Sequence, residues 1–240
     1  MDQYRNYIRQ VQRTLDDLPL EAIRDTVGLL HCARLTDKQV FIMGNGGSAA
    51  TASHMACDLG KNTDMPGRPR FRVMALTDNM ALFSAHANDC GYENVFVEQL
   101  ASFVRRGDIV IGISTSGNSP NILKGIELAC KIGAITIGWS GFDGGTLARM
   151  VDISVVVPSH CIEQIEDIHL IQEHLVTTIL RQAIQADAVS LPEDIVPELW
   201  GLRLAERLTH TRSTAAVFSG TDTNPQNGNP DQSQNGHDLS

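Results

Sequence analysis

The stretch FIMGNGGSAATASHMACDLGKN, residues 41–62, decides how the rest of the chain is read. An apolar run ends in Gly44 and meets Asn45, Gly46, Gly47 and Ser48. An alanine-rich helical pattern follows and carries His54 and Asp58. Strand, tight turn and helix in that order make a βα unit, the building block of a parallel sheet buried on both faces. The turn has neither the lysine of a P-loop nor the spacing of a dinucleotide fingerprint. Its glycines let a backbone come close to a ligand, Asn45 and Ser48 add polar side chains, and the free amides where Ser48 starts the helix favour an anion. The same residues also make an ordinary turn with a serine cap. His54 and Asp58 are four residues apart and share a helix face. They can ligate one metal ion or simply form a polar face with a partnered histidine.

Outward from this unit the pattern repeats. QVFIMG, FRVMALT (71–77), DIVIGIS (108–114), AITIGWS (134–140) and ISVVVP (153–158) read as five short buried strands. Helical patterns occupy 48–60, 79–86, 92–105, 119–132 and 144–150, and a longer one runs over about 162–188. The expected fold is α/β: a doubly wound, five-stranded parallel sheet flanked by helices. Residues 1–35 read as two helices, broken at DDLPLE (16–21), that pack on this domain or on a partner subunit. The domain itself spans 36–188, and 189–218 is a C-terminal extension. Residues 219–240 hold Leu239 as their one aliphatic side chain, too little to offset chain entropy, and are expected to be disordered.

The 240 residues carry a net charge of −9 and no basic run, which argues against nucleic-acid binding. Five cysteines form no CxxC pair and suit a reducing cytoplasm. No apolar run is long enough to span a membrane, and the N-terminus has no signal-peptide core.

The third strand ends in STSGNS, residues 114–119. Ser114, Thr115 and Ser116 precede a glycine turn, and Ser119 opens a helix with Pro120 in its first turn. Such a cradle of hydroxyls and amides suits a phosphomonoester, although a capped turn would read alike. Neither loop contains lysine, which argues against nucleoside triphosphatase chemistry. On the long helix, Glu166, His169 and Glu173 form one stripe, and Asp167 and His174 another. A solvated or subunit-facing surface gives the same pattern.

GNGGSAA, ANDCGYENVF, ISTSGNSPN and GFDGG, in this order and spacing, resemble the SIS (sugar isomerase) domain family and, within it, the phosphoheptose isomerases. The resemblance runs from about residue 20 to residue 187. It implies conversion of sedoheptulose 7-phosphate to D-glycero-D-manno-heptose 7-phosphate through an enediol. It implies that Ser114, Thr115, Ser116 and Ser119 bind the phosphate. Asn45, Gly46, Gly47 and Ser48 would line the sugar, with Asp89 and Asp143 nearby. The resemblance further implies a zinc or other divalent ion held by His54, Asp58, Glu166 and His174. Asp58 would then be the base and His174 the acid, Glu166 would also meet substrate, and His169 would play a supporting part. A homotetramer with active sites between subunits is implied as well. Two positions depart from the family: Asp58 stands where it has Glu, and Glu166 where it has Gln. Both replacements remain ligand-capable, but Asp is one methylene shorter and Glu adds a charge. Rival expectations are a non-catalytic phosphosugar-binding or protein-binding regulator, and an isomerase of another phosphosugar.

Overall fold

A computed structural model describes residues 1–186, so the readings placed on 187–240, the extension and tail among them, lie outside the described residues. The chain opens with helices α1 (Asp2–Asp16) and α2 (Leu20–Leu35). They are separated where Pro19, with its φ fixed near −75°, precedes α2. Five strands follow: β1 (Gln39–Gly44), β2 (Arg72–Ala75), β3 (Ile109–Ile113), β4 (Ile135–Ser140) and β5 (Ile153–Val156). All their pairings are parallel, in the order β2-β1-β3-β4-β5. The helices between them are α3 (Gly47–Cys57), α4 (Met80–Cys90), α5 (Val97–Phe103), α6 (Pro120–Ile132) and α7 (Leu147–Met150). The long helix α8 (Ile162–Gln185) closes the described chain.

Alternation along the buried strands builds two cores. Val40, Ile42, Ile109, Ile111, Ile137 and Val155 face the side that also contains Leu30, Met55, Ile168 and Leu180 from α2, α3 and α8. Phe41, Met43 and Val110 face the other side, where Leu100, Ile122 and Ile126 of α5 and α6 pack. Fully burying each such side chain contributes about 1.5–3 kcal/mol. Edge strand β2 is the least buried, with Arg72 and Met74 exposed.

The chain leaves β1 in one direction to form β2, and β3 lies on the other side of β1. That reversal opens a crevice at the carboxyl ends of β1 and β3, where open α/β sheets bind ligands. GNGG and STSGNS are the two loops that leave those ends.

The expected architecture is present, with local differences. The pattern over 92–105 resolves into a 3-10 turn, Tyr92–Asn94, and the shorter α5. The helix read over 48–60 ends as α-helix at Cys57 and widens into a π-helical turn, Asp58–Asn62. No described helix is long and apolar enough to cross a membrane.

Candidate active site

GNGG turns sharply because Gly46 has φ +54°. Gly44 leaves no room for a side chain either, since a Cβ there would lie 2.3 Å from the Ser48 carbonyl oxygen. Asn45 is held firmly. Its Nδ2 donates to Asn121 Oδ1, and its Oδ1 accepts from Asn121 Nδ2, both at 2.9 Å. Tyr92 Oη also donates to Asn45 Oδ1 at 2.9 Å. Gly44, Asn45, Gly46, Phe83 and Tyr92 line a cavity of about 370 Å³. Ser48 is buried in the first turn of α3.

STSGNS is locked to the GFDGG loop. Gly117, with φ +65°, brings its Cα so close that a Cβ would lie 2.1 Å from the Gly144 carbonyl oxygen. The Leu147 amide donates to the Gly117 carbonyl at 2.9 Å, and the Thr146 amide donates to Asn118 Oδ1 at 3.0 Å. Ser114 Oγ donates to Ser119 Oγ at 3.1 Å, and Ser116 Oγ accepts from the Asn118 amide at 3.2 Å. The Thr115 carbonyl accepts from the Gly141 amide. The hydroxyls therefore sit on a rigid frame at the end of β3. Asp143 serves that frame, since its Oδ1 accepts from the Gly145 amide at 3.1 Å. Asp89 is exposed near the end of α4, accepting from the neighbouring Asn88 Nδ2.

On the face of the sheet away from α6, α3 packs against α8. Donor atoms of His54, Asp58, Glu173 and His174 lie within 4.8 Å of one another there. His54 Nε2 is 3.4 Å from His174 Nε2 and 3.8 Å from Asp58 Oδ1. Asn62 Nδ2 holds Asp58 Oδ1 at 2.6 Å across the π turn. Both imidazoles reach solvent, whereas Glu173 is completely buried and its Oε2 has no hydrogen-bond partner. Burial, and then the Asp58 charge, push the Glu173 carboxyl above its usual range. A pair of imidazoles facing two carboxylates, one oxygen of them orphaned, is the donor chemistry of a divalent cation. The residues present fit such an ion.

Glu166 does not join this group. Its carboxylate lies against Gly47, where a Cβ would meet Glu166 Cδ at 2.5 Å. It precedes His174 by eight residues on α8, which separates the two backbone positions by about 12 Å along the axis. Glu173 stands in the cluster instead. His169 is buried beneath, with Nε2 3.3 Å from the Ser140 carbonyl oxygen, and burial lowers its pKa to about 4. The stripe Glu166, His169, Glu173 thus faces the body of the protein rather than solvent. Asn121 and Tyr92, which fix Asn45, carried no signal as site residues in the sequence. Their partner lies 76 and 47 positions away.

The profile of the SIS domain family matches residues 3–141, more than half of the chain. The phosphoheptose isomerase of Geotalea daltonii is 34% identical over 187 residues, 77% of this chain and 97% of that protein. That of Sulfurimonas denitrificans is 42% identical over 154 residues, 64% of this chain and 78% of the relative. The structure of a phosphoheptose isomerase from Francisella tularensis superposes with a TM-score of 0.70 at 30% identity, covering 75% of this chain and 97% of that one. With the strand order, the two strand-end loops and the alignment in agreement, the chain belongs to the SIS domain family, in its phosphoheptose isomerase branch.

Proposed function

We propose that this protein isomerises a phosphosugar between ketose and aldose, interconverting sedoheptulose 7-phosphate and D-glycero-D-manno-heptose 7-phosphate. The observation that carries the chemistry is the convergence of His54 of α3, Asp58 of the π turn that follows it, and His174 of α8. The reaction removes a proton from one carbon and returns it to its neighbour, while the oxygens exchange a proton in the opposite sense. Asp58 takes and returns the carbon-bound proton, and Asn62 fixes one of its oxygens for that task. His174, with its ring open to solvent, exchanges the oxygen-bound proton.

Ser114, Thr115, Ser116 and Ser119 anchor the phosphate, whose binding energy holds the reacting end in place. Asn45, Gly46, Gly47 and Ser48 hold the sugar hydroxyls, with Glu166 poised over Gly47. Asp89 and Asp143 are assigned supporting places at the rim. A zinc-like divalent ion on the His54–Asp58–His174 group would polarise substrate oxygens and stabilise developing negative charge.

We assign the protein to the cytoplasm and to a homotetramer with sites between subunits. Exposed apolar side chains on α1 (Tyr4, Ile8) and α8 (Leu170, Ile171, Ile179) support assembly, since a second copy would cover them. The test is to incubate the purified protein with sedoheptulose 7-phosphate in deuterated water and to follow the aldose product. Product carrying solvent deuterium at C2 is expected. No conversion of any C7 phosphate, by protein that is folded and loaded with metal, refutes the reading.

A further inference from the structure

Glu173 is the one member of the His/Asp/Glu group that the reaction above leaves without a task. Its side chain is fully buried on α8. Oε1 accepts from Thr177 Oγ1 at 3.1 Å, while Oε2 has no hydrogen-bond partner and faces His174 Nε2 at 3.4 Å. Burial and a second carboxylate, Asp58, work against its charge, and the Thr177 hydroxyl and the His174 and His54 rings offset them only in part. A buried carboxylate left in that state is strongly unfavourable unless a cation compensates it.

The distances within the group point to such a cation. In a tetrahedral site with bonds of about 2.0–2.1 Å, neighbouring donor atoms lie about 3.3 Å apart. His54 Nε2 and His174 Nε2 are 3.4 Å apart, His174 Nε2 and Glu173 Oε2 are 3.4 Å apart, and His54 Nε2 and Asp58 Oδ1 are 3.8 Å apart. Three edges of the polyhedron are therefore already close to length. Glu166, held against Gly47 two helical turns away, offers no such edge.

We propose that Glu173 is a protein ligand of the divalent ion, completing a set with His54, Asp58 and His174, and that Glu166 stands outside that set and faces the GNGG loop. The inference rests on the divalent-ion reading given above and changes which residues serve it. Two imidazoles and two carboxylates balance a +2 charge, and their mixed nitrogen and oxygen donors suit zinc, cobalt, manganese or ferrous ions better than calcium or magnesium.

The test uses the full chain, stripped with a chelator and titrated with Co²⁺. Binding is read from visible absorption and from competition with a chromophoric chelator. Wild type should take up one ion per chain. Glu173→Gln should bind at least ~10-fold more weakly and with a changed spectrum, since even residues that only support ligands cost about 10–100-fold. Glu166→Gln should bind within about twofold of wild type with the same spectrum, as expected for a residue outside the coordination shell. Thermal melts separate ligation from folding. Metal-free Glu173→Gln should still unfold cooperatively, while the rise in melting temperature on adding Co²⁺ should shrink relative to wild type. Unchanged Co²⁺ affinity and spectrum in Glu173→Gln overturn the proposal. So does loss of binding in Glu166→Gln, or a Co²⁺-induced rise in the melting temperature of Glu173→Gln as large as that of wild type. A wild type that binds no ion overturns this proposal together with the divalent-ion reading, whereas phosphosugar conversion is judged separately by the deuterium assay.

Discussion

Two glycine-to-alanine substitutions separate backbone strain from close contact at the loops that end β1 and β3. Gly46 and Gly117 have nearly the same positive φ, +54° and +65°. Gly46 combines its φ with ψ −122°, outside the left-handed helical region, and an alanine in a backbone region that L residues rarely adopt costs about 1–3 kcal/mol at either place. Their surroundings differ. A Cβ on Gly46 would meet nothing within 4 Å, whereas one on Gly117 would lie 2.1 Å from the Gly144 oxygen and 2.7 Å from its carbonyl carbon. That obstacle is backbone and cannot swing aside. It is also tied in place, because the next residues of the GFDGG loop donate to Gly117 and Asn118. Forcing the loops apart adds about 1–3 kcal/mol, as for overpacked cores. At ~2–4 °C per kcal/mol for a chain of this size, Gly117→Ala should melt about 2–12 °C below Gly46→Ala. It should also raise KM for the phosphosugar, since the hydroxyls of Ser114, Ser116 and Ser119 ride on the displaced frame. The assay is thermal unfolding by circular dichroism, paired with initial rates on both variants. Equal melting temperatures for the two variants would show that the GFDGG loop yields freely, and the rigid-cradle argument would fail.

Asp58→Asn should lower kcat by about 10²–10⁴-fold, the usual worth of a positioned base, with a melting temperature near wild type; unchanged turnover removes Asp58 from the base role. Ser119→Ala removes a hydroxyl from the proposed phosphate cradle and should raise KM by about 10–100-fold, corresponding to ~1.5–3 kcal/mol for a hydrogen bond to a charged group, with little change in kcat. Acid should destabilise the fold through His169. Its folded pKa, about 4, lies below the unfolded 6.5, so its contribution is complete above pH 6.5 and is lost as the pH falls from there towards 4. Between pH 7 and 5 that loss is ~2 kcal/mol, and urea unfolding of wild type and His169→Gln at both pH values should show it absent from the variant.

The parts of this molecule that were legible in the sequence are those encoded locally. QVFIMG and DIVIGIS announce strands because a short apolar run stops at a turn, and the loops at their ends announce themselves by glycine and hydroxyl content. The strand order that sets those loops at one crevice is a long-range property, as is the amide pair between Asn45 and Asn121. Glu173 was hidden for a geometric reason. Neighbours on a helix point about 100° apart, so Glu173 and His174 read as belonging to different faces. In the structure one is buried and the other exposed, yet their side chains converge to 3.4 Å at the edge between the faces. Asp58 was visible as a polar residue four places after His54, but the π turn that begins there and lets Asn62 grip it has no clear periodic signature.

The departure at position 166 has a geometric reading. Transfer by position gives Glu166 the role of the family's Gln, yet helix geometry keeps Glu166 at the start of α3 and the His54–His174 pair two turns further along. A ligand set is a condition on donor atoms in space, and a chain can meet it from another position on the same helix. Glu173 does so with a side chain that would otherwise be a buried, half-satisfied carboxylate. Its presence removes the need for Glu166 as a ligand and leaves that carboxylate at Gly47, on the substrate side. On the proposed assignment, the added negative charge at position 166 acts on the sugar rather than on the ion. Glu166→Gln should accordingly alter KM or kcat while leaving metal content intact, and a parallel loss of metal and activity in that variant would return Glu166 to the ligand set.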